Sequence, residues 1–278
     1  MKNKCKLCDS NLVSNYFSGL YKTEKYEYLN CKKCETIFLN NNLTDKYLHE
    51  YYSSDEFHSD NHYNSNQYFK DREKAYENKY KKILTWVDIK SKILDYWCWD
   101  ASFIKFLQNK WFNNVSWYEF DDSVQNKLKK WGINIIDFES DNQKFDIITV
   151  FDVIEHVQEP EKLFNDLYTK LNEGGTIVYT TGVYSKYFDK IDKWYCSWIN
   201  YPQHLWVFSK QSFHYLNKNK NLNLIKFWIN WVWFNSNTRI ILWQIKNIFL
   251  HIFSKKKRDK SKPWFPWFNW VYIFKKWN

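Results

Sequence analysis

Four of the six cysteines in this 278-residue chain are grouped: Cys5 and Cys8 form one CxxC pair, Cys31 and Cys34 form another, and 22 residues lie between the pairs. Two short knuckles joined by a hairpin can bring four thiolates onto one ion, and a tetrahedral all-cysteine shell is the coordination that structural zinc prefers. Such a shell is closed, leaving no position for water or a substrate, so the expectation is a structural Zn2+ held by Cys5, Cys8, Cys31 and Cys34. A module of about 40 residues buries little core, and the metal would supply the missing folding free energy. A disulfide framework or a redox pair would compete. The opening residues lack the apolar stretch of a secretory signal, and a redox CxxC stands singly beside a βαβ unit rather than as two matched pairs. Cys98 and Cys196 fall outside the set and read as small buried residues.

The remaining chemistry-bearing residues stand at the ends of apolar runs. Asp95 closes KILDY (92–96), Glu119 follows VSWY, Asp137 follows Ile135-Ile136, His156 ends the run KFDIITVFDVIEH, and His204 sits in YPQHLWVFSKQS (201–212). Imidazoles can exchange a proton near neutral pH. His49, His58 and His62 lie instead in a polar stretch rich in Asn, Ser and Asp, where solvated side chains are expected.

The elements that would hold these residues are legible around Asp95. A buried-strand pattern over 92–96 runs into WCWDAS and then into a helical segment, Ser102 to Lys110, and strand, tight turn, helix is the opening of a nucleotide-binding α/β unit. A turn of that kind brings backbone against a ligand and favours positive φ, so glycine is expected where Trp97 and Trp99 stand. The composition repeats the anomaly: the chain has 17 Trp and 5 Gly, whereas about 19 Gly are expected at ordinary usage of roughly 7%.

With glycine read at 97 and 99 the segment becomes LDYGCGDASF, which resembles the first motif of class I S-adenosylmethionine-dependent methyltransferases. The same exchange at Trp111 and Trp117 gives NKGFNNVSGYEFD, which resembles that family's passage from the first helix into the second strand. One rule repairs four positions, which implies a source that reads UGA as glycine and a translation that reads it as tryptophan. Other segments need no repair. Lys144 to Val157 resembles the fourth strand and following loop in the branch with Glu-His after the strand. Leu171 to Thr181, LNEGGTIVYTT, resembles the turn and fifth strand, and Tyr201 to Ser212 the Pro-x-His…Phe-Ser segment of the same branch.

The resemblance implies an α/β, Rossmann-like seven-stranded sheet, mostly parallel with an antiparallel last strand, beside a small zinc ribbon. The expected division is a ribbon over 1–42, a helical linker or lid over 43–84 with its helix at 67–84, and the methyltransferase domain over 85–278. Asn223 to Ile229 and Trp270 to Lys275 are the expected closing hairpin, with an apolar helix over 240–253 between them. By position, Asp95, Trp97, Cys98, Trp99 and Asp100 would wrap the methionine and ribose parts of S-adenosylmethionine. Glu119 would accept the ribose hydroxyls beside Phe120, and Asp137 would take the adenine amino group. His156 and His204 are the candidates for a base or an acceptor contact.

The expected reaction is O- or C-methylation of a small molecule, for instance a sugar or cell-envelope precursor, in the cytoplasm. An RNA methyltransferase is the alternative permitted by a net charge of +10 and a pI near 9.0. No aromatic-basic RNA signature favours it, and the only charge run, Lys255 to Arg258, reads as a solvated segment. A non-catalytic binding protein follows if Trp97 and Trp99 are genuine. No stretch of roughly 18 uninterrupted apolar residues suggests a membrane span, and 240–253 reads as a buried or interface helix in preference to one in weak contact with a membrane surface.

Overall fold

A computed structural model describes residues 4–54, 73, 76–77, 80–81, 84, 87–97, 102–120, 122–129, 134–182, 184, 199–218, 220, 222–231 and 268–276. Cys98 to Asp100, Cys196, His58, His62, the apolar segment 240–253, the run 255–258 and most of the helix expected over 67–84 lie outside these residues.

Two sheets organise the chain. The larger has six strands in the order β5-β4-β6-β7-β10-β9: β4 (Ile93–Tyr96), β5 (Val115–Tyr118), β6 (Phe145–Phe151), β7 (Leu171–Gly182), β9 (Leu222–Trp231) and β10 (Phe268–Lys276). The first four are mutually parallel, and β10 runs antiparallel to both β7 and β9. This is the expected α/β sheet with an antiparallel end. A seventh strand is not formed among the described residues. At the β5 edge, where it would lie, Ile135 makes only an isolated parallel bridge to Trp117.

β6 is buried along most of its length on both faces, as a central parallel strand must be. Helices cover the sheet. In α2 (Ser102–Asn109) Phe103, Ile104, Phe106 and Leu107 fall on one face at helical spacing and are buried. α3 spans Asp122–Lys129. α4 (Pro160–Thr169) begins with a proline, whose missing N–H has no intrahelical partner to lose at that position, and buries Leu163, Phe164 and Leu167. Gly174 and Gly175 lie within β7. Between its pairings at Leu171 and Thr176 that strand loops away from β6, and Gly174 takes φ 72°. A Cβ on Gly175 would meet the Asn172 carbonyl oxygen at 2.8 Å, which explains a glycine there.

The smaller sheet is antiparallel in the order β1-β2-β3-β8, with β1 Val13–Tyr21, β2 Glu24–Cys31, β3 Ile37–Leu39 and β8 Trp206–Val207. Its fourth strand therefore comes from the far half of the chain, through the pairs Ile37 with Val207 and Phe38 with Trp206. Next to it Ser209 caps α5 (Lys210–Leu216) in a capping box with Ser212. Both hydroxyls donate to the Cys34 carbonyl, at 3.3 and 3.0 Å. α1 (Asp45–Tyr52), capped by Thr44, leads from the smaller sheet toward the end of β6.

Candidate functional site

The four cysteines are buried and their sulfurs lie within 4.8 Å of one another, with Cys5–Cys34 and Cys8–Cys31 both at 3.6 Å. That is far beyond a disulfide bond of about 2.05 Å and close to the roughly 3.8 Å between sulfurs that each sit about 2.3 Å from a tetrahedral zinc. The two knuckles are built alike. Asp9 (φ 54°) and Glu35 (φ 58°) each follow the second cysteine of a pair, and each donates its N–H to the carbonyl of the first. The Cys5 thiol, hydrogen-bonded to Cys34, holds the latter down to about 5, whereas burial raises Cys8 to about 11. The donor set and the spacing fit a tetrathiolate metal site.

The second constellation lies at the C-terminal ends of β4, β5 and β6, the edge at which open α/β sheets bind ligands. Asp95 is buried at the end of β4 and accepts from Thr149 Oγ1 of β6 at 2.6 Å. Trp97 follows, donating its N–H to the Tyr118 carbonyl at 2.8 Å. Glu119, buried just beyond β5, has Oε1 capping the Phe120 N–H at 2.8 Å, and its carbonyl accepts from Gln125 Nε2 of α3. Phe120 is exposed. Asp137 is fully exposed, and its carboxylate accepts from Ser140 Oγ at 2.7 Å and Glu139 N at 3.2 Å. Those bonds, Ser140 first, pull its pKa down, so this side chain caps its own turn.

Trp97 has φ 61° and Trp111 φ 70°. A bulky side chain in the left-handed region is a steric outlier, whereas glycine takes it freely. These are two of the four positions at which the sequence reads as displaced glycine. Trp99 lies outside the described residues. Trp117 has no such backbone signal; it is wholly buried in β5, and its indole Nε1 finds no hydrogen-bond acceptor among the described residues. The Trp97 ring is packed among Tyr52, Phe120 and His156, with centroids 5.7, 6.1 and 6.2 Å away. An indole thus stands between the end of β5 and the end of β6.

On the far side of that indole, His156 and His204 are both buried, their ring centroids 4.8 Å apart. The His156 Nδ1 lies 2.9 Å from the Gln203 carbonyl oxygen and 3.0 Å from the Tyr52 hydroxyl. A carbonyl only accepts, so Nδ1 carries the proton and Nε2 presents its lone pair. Burial, and then the neighbouring His204, hold the His156 pKa well below the usual imidazole value. Glu155 is buried too, and its carbonyl accepts from the N–H groups of Leu205 and Trp206. The His204 carbonyl in turn accepts from the buried Tyr28 hydroxyl of β2, at 2.5 Å.

The structure therefore brings together Trp97, Phe120, His156 and His204, with Asp95 and Glu119 at the neighbouring strand ends. It leaves Asp137 on a separate turn. Tyr52, Gln203 and Tyr28 were not singled out from sequence. Each acts through a hydroxyl or a backbone carbonyl, and none of them stands in a motif that marks that role.

The family model described as a methyltransferase domain matches residues 68–226. No curated protein matches the chain. Among solved structures the fold is similar to magnesium protoporphyrin IX methyltransferase from Synechocystis PCC 6803 with bound SAH, at 9% identity and TM-score 0.53, over 84% of this chain and all of that one. It is similar to the plantazolicin methyltransferase BpumL in complex with SAH at 15% identity and TM-score 0.50, over 82% of this chain and 93% of that one. The [4+2]-cyclase SpnF has the same fold at 10% identity and TM-score 0.50, over 74% and 81%.

Proposed function

Since the chain belongs to the methyltransferase-domain family, we propose that it moves the methyl group of S-adenosylmethionine to an oxygen or carbon nucleophile of a small molecule. The observation that carries this reading is the position of residue 97. It takes a glycine-like φ directly after β4, and its side chain touches both Phe120 beyond β5 and His156 beyond β6. A cofactor laid across that edge would have Glu119 at its ribose and the two imidazoles at its methyl end.

The cofactor supplies an electrophilic methyl on a sulfonium, and the protein's contribution is alignment and proton management. Asp95 and the turn after it would bind the methionine portion. Glu119, its Oε1 tethered to the Phe120 N–H, offers a second oxygen to a ribose hydroxyl. His156, its pKa held below the usual imidazole value by burial, presents an Nε2 that can hold an acceptor hydroxyl or take its proton, and His204 places a second imidazole beside it. The solved relatives whose names include SAH, and those that act on small molecules by name, agree with this choice of cofactor and substrate class.

The same reading assigns glycine to positions 97, 99, 111 and 117 of the functional protein, and a structural zinc to Cys5, Cys8, Cys31 and Cys34. A second reading is supported by the indole of Trp97 itself: a chain with Trp at that position has its cofactor edge filled from within and would not turn over. Titration calorimetry with S-adenosylmethionine on the Trp chain and on Trp97→Gly/Trp99→Gly decides between them. Binding only by the glycine form supports the proposal; binding by neither removes the enzyme assignment for this site.

A further inference from the structure

We infer that Glu155, His156 and His204 form a second metal site, for a divalent transition-metal ion of the zinc, manganese or iron class, at the acceptor end of the cleft. The inference takes the location of that end from the proposed function, but metal binding itself does not depend on methyl transfer.

All three side chains are buried, and each offers one ligand atom such that the three atoms lie within 4.8 Å of one another. Ligands about 2.0–2.1 Å from a tetrahedral ion stand roughly 3.4 Å apart, so modest side-chain rotation closes the site. Two imidazoles with one carboxylate form the mixed nitrogen and oxygen set that borderline divalent ions take, in contrast to the all-oxygen shells of calcium and magnesium. Three protein ligands also leave coordination positions open, as reactive metal centres do and structural ones do not.

The surroundings are those of a metal ligand. The Gln203 carbonyl accepts the His156 Nδ1–H, which fixes the tautomer and leaves Nε2 as the nitrogen that can bind an ion. The two contributing segments are tied by the bonds from Leu205 and Trp206 N–H to the Glu155 carbonyl, and the His204 carbonyl is held by Tyr28. The set is thus assembled on fixed backbone before any ion arrives. With an ion in place, the imidazoles would reach the acceptor oxygen through the metal.

The test uses the full chain, freed of metal by chelation under reducing conditions and titrated with Co2+ alone, in both the Trp form and Trp97→Gly/Trp99→Gly. The expected result is two equivalents: one with intense thiolate-to-cobalt charge transfer, and one with only weak ligand-field bands. His204→Ala and Glu155→Gln should each abolish the second and keep the first, which also reports that the variant has folded. A single equivalent with a pure thiolate spectrum overturns the site, and so does a second equivalent that survives both substitutions. A second cobalt in a protein that never binds S-adenosylmethionine would keep the metal site and refute the proposed function.

Discussion

Replacing Trp97 with glycine should lower the stability of the free protein while raising its affinity for S-adenosylmethionine. The left-handed φ of 61° costs a non-glycine residue about 1–2 kcal/mol, which glycine recovers. Against that, the indole packs edge-on or tilted against Tyr52, Phe120 and His156, and aromatic pairs of this kind contribute about 0.5–1.5 kcal/mol each. Removing all three pairs costs about 1.5–4.5 kcal/mol, so the free protein should end between about 0.5 kcal/mol more stable and about 3.5 kcal/mol less stable, with most of that range on the side of a loss. A ligand that must displace the indole to enter forfeits the same packing energy, which corresponds to binding weaker by about 10-fold to 10³-fold in the Trp chain. Urea unfolding and titration calorimetry on the two proteins measure the two quantities separately. Equal affinity in both would refute the reasoning, because the indole would then not occupy the ligand's place. A glycine form both more stable and no tighter would show that residue 97 matters only to the turn.

Trp111 provides the uncoupled case: it is 76% exposed at φ 70°, so Trp111→Gly should relieve about 1 kcal/mol of strain with little sacrifice of packing, raise Tm by about 2–4 °C and leave cofactor affinity unchanged, as calorimetry would check. Glu119→Gln keeps the shape of the β5 end but removes its charge, and S-adenosylmethionine should bind about 10-fold to 100-fold more weakly, the loss expected for charge-assisted hydrogen bonds. Cys31→Ser/Cys34→Ser should abolish stoichiometric zinc. Because β3 pairs with β8 and Tyr28 holds the His204 carbonyl, the same variant should lose acceptor turnover by a larger factor than cofactor affinity; equal losses would mean that the cysteine module acts only on global stability.

What could be read from the sequence followed from local spacing. The CxxC pairs, the run from Lys144 to Val157 and the closing hairpin each contain their own pattern, and the structure has the cysteines clustered and β6, β9 and β10 where those patterns lie. The expectation of a glycine-like backbone at position 97 was legible for the same reason, since a βα turn constrains φ at one residue, and Trp97 has that φ. What depended on distant chain meeting distant chain was not legible. Nothing local says that Gln203 lends its carbonyl to His156, or that Tyr52 reaches the same nitrogen. Nor does the short run at 135–136 announce that, among the described residues, it will make a single bridge, to Trp117, instead of a full strand; a strand needs a partner along its length.

The borrowed strand β8 has a consequence for how the protein is made. The cysteine module is synthesised before β8, so its sheet is closed by residues that leave the ribosome much later; Tyr28 and His204 are 176 residues apart. Until then β3 has a free edge, open to mispairing with other chains. The module therefore cannot be moved to another protein as a ready-made unit, nor deleted as an appendage. It is a clasp closed from a distance, and a nascent chain halted before residue 206 should leave that sheet unfinished.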